Sequence, residues 1–181
     1  MPKTYRMGAF TVTSAKAIVT DPSYNEETAS IGNLGRLLHP CATGTWTVEV
    51  VEEFSPEYEW EMVRSVTATL AEFSPSPADD WVRVEDSVGG DTGLLGLFDL
   101  AHFRDLSVIP ANQEWSFKGG PAIPDELWYS YVCELVKGHE VAIVPFGFVV
   151  HWDGSMDVDR ITRGNRIVAA RLSVSGWPAG S

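Results

Sequence analysis

The sequence predicts a mainly β protein of the α+β type: an antiparallel β sandwich or strongly curved sheet with one amphipathic helix packed near residues 124–137. Three observations predict it. Residues 44–50 and 57–73 alternate apolar and polar side chains with the period of two that a half-buried strand requires. Turn formers at Asp21-Pro22, Ser55-Pro56, Ser74-Pro75-Ser76-Pro77 and Gly89-Gly90 separate the β-type runs. Only residues 124–137 combine helical spacing with helix-end signals. At 181 residues and 44% hydrophobic content, the chain can bury a core and reads as one domain, 1–181, without repeat or linker.

The elements follow in order. Met7 to Thr13 and Ala15 to Thr20 are short β-type runs around Ser14, a hairpin or bent strand ending at Asp21-Pro22. Asn25, Gly32, Asn33 and Gly35 then disfavour regular structure until about Leu37. In the strand 44–50, Trp46, Val48 and Val50 share one face, with Thr45, Thr47 and Glu49 on the other. Along 57–73, Tyr58, Trp60, Met62, Val66, Ala68 and Leu70 share one face, opposite Glu59, Glu61, Ser65, Thr67 and Thr69. These two segments are expected to pair antiparallel around Ser55-Pro56. Trp81 to Glu85 is a short strand, Leu100 to Leu106 a helical turn, and Pro110, Gly119, Gly120 and Pro121 mark an extended connection. Pro124 suits a first helical turn, Asp125 and Glu126 complement its dipole, and Lys137-Gly138 ends it. Trp128, Tyr131, Val132, Leu135 and Val136 form its apolar stripe. Val141 to Trp152 is a buried strand whose Pro145 and Gly147 suggest an edge or bulge. Arg166 to Val174 is the final strand, and Trp177-Pro178 opens the tail.

One residue breaks the alternation. Counting by twos puts Arg64 on the apolar face between Met62 and Val66, where an unpaired guanidinium is costly. Either a bulge turns it outward, or a carboxylate lies beneath it, or the face opens into a pocket where Arg64 reads an anionic ligand.

Charge and composition exclude several function classes. The formal net charge of −12, from 25 acidic against 13 basic residues, disfavours a nucleic-acid binder, which needs a basic stripe to displace counterions. The acidic pairs Glu26-Glu27, Glu52-Glu53 and Asp79-Asp80 look like solvated loops or edges rather than a DNA-mimicking ladder. Arg160, Arg163, Arg166 and Arg171 reverse that sign within twelve residues and are a candidate anion site. No apolar run has the length of a membrane-spanning helix and no signal-peptide core follows Met1, so a cytoplasmic location and no membrane partner are expected. Cys41 and Cys133 read as free core thiols.

The local motifs are weak. Asp91-Thr92-Gly93 matches an aspartic-protease triplet, but Gly89-Gly90 before it and Leu94 after it do not fit, and there is only one copy. Asp153 to Asp159 places oxygen ligands at alternate positions like the start of a calcium loop, yet has Val158 at the sixth position and Gly164 at the twelfth. His39, His102, His139 and His151 lack zinc spacing, and neither a nucleophile elbow nor a phosphate loop is present, so no cofactor is expected.

Several blocks together carry a family resemblance. Ser14 through Asp21-Pro22-Ser23-Tyr24 resembles the S-G-x-x-x-x-x-D-P-x-Y start of an uncharacterised domain family of bacteria and their phages. Gly44-Thr45-Trp46 is similar to its first long strand, and Asp91-Thr92-Gly93 through Phe98-Asp99 to its D-S-G-x-x-G-x-F-D segment. Trp128-Tyr129 is similar to its helix, and Pro145-Phe146-Gly147 with Asp153-Gly154-Ser155 to its close. Ala15 stands for the usual glycine and Thr92 for the usual serine, and the loop 153–159 has fewer glycines. The resemblance implies a fold and a set of recurring polar residues, Asp21, Tyr24, Asp91, Asp99 and Asp153, at strand ends where a β scaffold presents a site. It implies no activity.

Three function classes remain open. The leading one is a non-enzymatic small-molecule binder whose pocket joins Asp21, Tyr24, Asp91, Asp99 and Asp153 to Arg64 or to Arg160 and Arg163. Arginine forks suit phosphate and aspartates suit ribose hydroxyls, so the ligand would be nucleotide-like; in a phage setting it could be a sequestered immune signal. The second is a hydrolase, metal-assisted or not, using Asp91 with Asp99 or Asp153 as acid and base. The third is an acidic protein-interaction or immunity module. The sequence leaves the oligomeric state open.

Overall fold

A computed structural model describes residues 1–57, 59–84, 86–110, 116–117, 120–121 and 124–176. Tyr58, Glu85, Gly119, Trp177 and Pro178 lie outside them. In chain order the elements are β1 (Lys3–Val12), β2 (Ala17–Thr20), α1 (Glu26–Ala29), β3 (Gly35–Leu38), β4 (Gly44–Ser55) and β5 (Trp60–Leu70). Then come β6 (Val82–Arg83), β7 (Val88–Gly89), β8 (Leu94–Asp99), β9 (Ser116–Phe117), β10 (Gly120–Pro121) and α2 (Pro124–Val136). The last four strands are β11 (Val141–Val144), β12 (Gly147–His151), β13 (Ser155–Arg163) and β14 (Arg166–Val174).

The strands form two antiparallel sheets. The larger runs β1-β4-β5-β14-β13-β6, with β7 also paired to β13; the smaller runs β11-β12-β8-β2-β3, and β9 pairs with β10 apart from both. Alternation explains how they stack. Trp46, Val48, Val50, Val66, Ala68 and Leu172 of the larger sheet meet Val19, Leu95, Leu97, Phe148 and Val150 of the smaller one in a shared core. The opposite face of the smaller sheet presents Ile18, Leu94, Phe98 and Val149 to Trp128, Val132 and Val136 of α2. The expected sandwich with one packed helix is therefore a three-layer arrangement.

The smaller sheet is covered on both faces, so its central strand β8 is buried at every residue, Leu94 through Asp99. This is why Leu94 to Phe98 reads as a continuous apolar run and not as an alternation. A Cβ at Gly96 would lie 2.5 Å from the Phe148 carbonyl oxygen of the neighbouring strand and 2.6 Å from Phe98 Cζ, so the close approach of that backbone and ring requires glycine there.

The structure corrects five local expectations. Along β5, the pairing jumps from Val51↔Ser65 to Glu52↔Val63, leaving Arg64 as the extra residue of a bulge. The bulge changes the phase: Val63 is 2% exposed in the core, while Trp60 is 58% exposed, so Trp60 and Met62 do not share the face of Val66 and Ala68. Residues 25–38 contain α1, with the Asn25 side chain accepting from the Thr28 N–H, and β3 at the edge of the smaller sheet. The strand expected over 81–85 is only Val82–Arg83. Val141 to Trp152 is a hairpin with Val144 opposite Gly147, folded at Pro145-Phe146. Finally, the acidic run read as a turn or calcium-like loop enters β13 at Ser155, placing Asp157 and Asp159 within a strand.

Candidate functional site

At one end of the smaller sheet, the Asp21-Pro22 step ends β2 and turns the Asp21 carboxylate inward. It is fully buried and accepts from Ser23 N at 2.8 Å, Thr92 N at 3.0 Å and Thr92 Oγ1 at 2.8 Å. Gly90 passes so close that a Cβ there would stand 2.7 Å from Asp21 Oδ2. Asp21 therefore ties the 90–93 loop to β2. Arg104 Nη1 donates to the carbonyls of Ser23 and Tyr24, and the Trp152 N–H donates to the Gly93 carbonyl. Burial, and then the Asp91 carboxylate beside it, pushes the Tyr24 phenol up to about 12. Asp91 and Asp153 are exposed on the two adjoining loops. The sequence-predicted residues Asp21, Tyr24, Asp91 and Asp153 thus gather at one end of the sheet, with Asp21 engaged by the backbone.

Asp99 is not part of that cluster. It ends β8, whereas Asp91 precedes it, and six residues of strand place them about 17 Å or more apart. Its fully buried carboxylate accepts from Thr13 N at 2.7 Å, Thr13 Oγ1 at 2.5 Å, Ser14 N at 3.3 Å and Ser14 Oγ. Burial opposes its ionisation, but these donations from Ser14 and Thr13 outweigh it and hold the pKa below the usual carboxylate range. Asp99 therefore clamps the β1–β2 corner, and it does not share a proton or a ligand with Asp91. Among the described residues, no group of three or more His, Cys, Asp or Glu side chains could hold a metal ion.

The arginines divide differently from the sequence expectation. Arg163 pairs with Asp79 and lies over the Phe73 ring at 5.4 Å, holding the 73–79 loop. Arg160 stands across from Ala170, on the inner side of the larger sheet, where its charge reaches Cys41. The run 160–171 therefore does not converge into one anion site, because successive strand residues face opposite ways. Arg64, turned outward by the bulge, donates to Glu53 Oε2 at 2.6 Å.

The outward turn brings Arg64 to a groove on the outer face of the larger sheet. Arg64, Arg83, Arg171, Asp157 and Asp159 line it with Ser65 and Ser173, and it encloses about 450 Å³. Asp159, only 4% exposed, accepts from Arg83 Nε at 2.6 Å and from Arg171 Nη2 at 2.9 Å. Asp157 accepts from Ser87 Oγ at 2.7 Å and Ser175 Oγ at 2.9 Å and pairs with Arg83 Nη1 at 2.5 Å. Its burial raises the cost of charge, yet Ser87, Ser175 and Arg83 more than offset this and lower its pKa. The Asp159 hydrogen bond in turn raises the pKa of Arg83. Arg171 stacks over the Trp81 ring at 4.4 Å.

Sequence spacing does not single out Arg83, and it reads Asp157 and Asp159 as part of an acidic turn or calcium-like loop instead of as groove residues. A signal did exist: Met156, Val158 and Ile161 flank Asp157 and Asp159 with near-strand periodicity, which contradicts a loop. No hydrogen bond or ion pair among the described residues joins Arg64, Arg83 or Arg171 to Asp21, Asp91 or Asp153. No protein-family model, curated protein or solved structure matches this chain.

Proposed function

We propose that the chain is a non-enzymatic small-molecule binding protein whose ligand lies in the outer groove of the larger sheet. One observation carries this reading: three guanidinium groups, Arg64, Arg83 and Arg171, line one cavity of about 450 Å³ in a chain with only 13 basic residues. That volume falls in the range of small-molecule sites, roughly 300–1,000 Å³. Each arginine is oriented by a carboxylate, which reduces the entropy a ligand must remove. Their side chains remain 34%, 51% and 33% exposed, so each keeps N–H donors for an anionic group. Asp157, whose side chain is 18% exposed, supplies an acceptor for hydroxyls beside those donors, while the buried Asp159 orients Arg83 and Arg171. A phosphate with adjoining hydroxyls, as in a nucleotide, uses both kinds of group. In the bacterial and phage setting that the motif resemblance implies, such a protein would sequester a nucleotide-derived signal.

This reading moves the ligand contacts from the aspartates of the smaller sheet to Asp157, Arg83 and Arg171 while retaining Arg64. Against the hydrolase reading stands Asp99, whose carboxylate is taken up by Thr13 and Ser14. Native mass spectrometry before and after denaturation tests for retained cargo, and titration with adenosine and guanosine monophosphates tests the site. Arg83→Ala and Arg171→Ala should each weaken nucleotide binding by about tenfold, or 1.4 kcal/mol. A cargo-free mass together with no nucleotide binding at millimolar concentration overturns the proposal.

A further inference from the structure

The two sheets end on one side of the sandwich: β1 is the outer strand of the larger sheet and β11 that of the smaller, and among the described residues neither pairs on its open side. The ladders fix which backbone groups stay free. The Ala71 N–H donates to the Thr45 carbonyl, so Thr45 and Thr47 bond to β5, while Gly44, Trp46 and Val48 bond to β1. Opposite them Val12, Phe10 and Gly8 bond inward, which directs the N–H and C=O groups of Ala9 and Thr11 away from the sheet. On β11, the His151 N–H donates to the Glu140 carbonyl, and the same alternation turns the groups of Ile143 away from β12. None of these groups enters a backbone hydrogen bond outside the ladders among the described residues. Between the two edges lies a groove of about 440 Å³, lined by Ala9 to Thr11 and by Ile143 to Phe146, and apolar but for Thr11. A bulge at Met7 interrupts the edge, whereas Gly8 to Val12 run in unbroken register. The edge also differs in charge from the rest of the chain. Residues 1–20 hold Lys3, Arg6 and Lys16 and no acidic side chain, in a chain of net charge −12. Arg6, opposite Glu49 on β4, is exposed and forms no ion pair among the described residues.

We propose that the β1 edge receives an extended acidic segment of a protein partner as an added strand, with the apolar side chains of that segment seated in the groove. Main-chain hydrogen bonds to Ala9 and Thr11 set the register, the groove accepts every second side chain, and Lys3 and Arg6 favour carboxylates on the others. A second copy offering the same edge would bring a basic strand to a basic strand. Lipid and nucleic acid lack the alternating main-chain donors and acceptors that the edge matches. The edge shares no lining residue with the nucleotide groove.

The test uses the whole chain and a fluorescent peptide alternating valine with glutamate, followed by anisotropy at about 0.15 M salt. In an added strand alternate N–H groups face β1 and the others face away. N-methylation of one residue type, valine or glutamate, should therefore weaken binding about tenfold or more, and methylation of the other type should leave it within about twofold. A peptide alternating serine with glutamate leaves the groove unfilled and should bind about tenfold more weakly. Ala9→Pro removes the outward N–H without taking a donor from the β1–β4 ladder and should weaken the valine–glutamate peptide about tenfold. Arg6→Glu should weaken it about threefold. Unfolding midpoints show whether each variant remains folded, and the peptide series, which uses the unaltered chain, decides the question if a variant does not. Equal effects of the two methylation patterns, equal affinity for the valine and serine peptides, or affinity unchanged in folded Ala9→Pro overturns the proposal.

Discussion

Replacing Asp99 by alanine should destabilise the protein severely, although the residue lies in a segment that resembles a functional motif. The side chain is fully buried and accepts from two backbone N–H groups and two hydroxyls of Thr13 and Ser14. A hydrogen bond to a charged acceptor contributes about 1.5–3 kcal/mol. The four are not additive, since the hydroxyls can rotate to other acceptors and water can enter, but the two N–H groups cannot turn away. A loss of about 3 kcal/mol is expected, as for breaking a buried charged network. At this chain length that corresponds to a fall in Tm of roughly 6–12 °C. Urea unfolding at neutral pH should show a lower midpoint with an unchanged slope. The pH dependence supplies an independent check. Because folding depresses the Asp99 pKa, its contribution is complete above the unfolded value of about 3.9 and is lost as pH falls through the lower folded value. The stability gap between wild type and Asp99→Ala should therefore narrow in acid. A loss below about 1 kcal/mol at neutral pH, or a gap that stays constant to pH 2, would refute the reasoning.

Gly96→Ala places a Cβ 2.5 Å from the Phe148 carbonyl oxygen and should cost about 3 kcal/mol by overpacking, read by thermal unfolding; a cost under about 1 kcal/mol would show that β12 and the Phe98 ring can shift to admit a methyl group. Arg64→Ala leaves Glu53 without its cation at a partly exposed site, so about 1 kcal/mol or less should be lost in denaturant titration. A much larger loss would mean that Arg64 belongs to the core. Cys41 is 1% exposed and burial pushes its thiol up to about 11, so at pH 8 it should resist a thiol reagent until urea unfolds the chain. Rapid labelling of Cys41 in the folded protein would contradict that burial.

The half-buried strand around Trp46, Val48 and Val50 and the helix carrying Trp128, Val132 and Val136 were legible because each has one buried face, which imprints its period on the residues. Where structure covers both faces, as along β8, the period disappears and only a run of apolar residues remains. The bulge at Arg64 was visible as a conflict, but its resolution depended on Glu53 across the hairpin, which no count along one strand supplies. Asp21 and Asp99 read as ligands because aspartates near turns are common in sites. Apart from the local Ser23 N–H on Asp21, their donors are Thr92 and the Thr13-Ser14 corner, 71 and up to 86 residues away in sequence. The groove was the least legible feature, since Arg83 sits in a two-residue strand and meets Asp159 only through the pairing of β6 with β13.

β14 comes after every other strand in the chain yet occupies the middle of the larger sheet, between β5 and β13. During vectorial synthesis, β5 leaves the ribosome about a hundred residues before the strand that covers it. With growth at roughly 5–20 residues per second, that side of β5 stays open for several seconds. In that interval Val63, Val66 and Ala68 line a naked sheet margin able to pair with a neighbouring nascent chain. β13 and β14 emerge together as one hairpin, so its arrival both covers β5 and completes the larger sheet, and the margin of β5 is most exposed to misassembly until that hairpin is made.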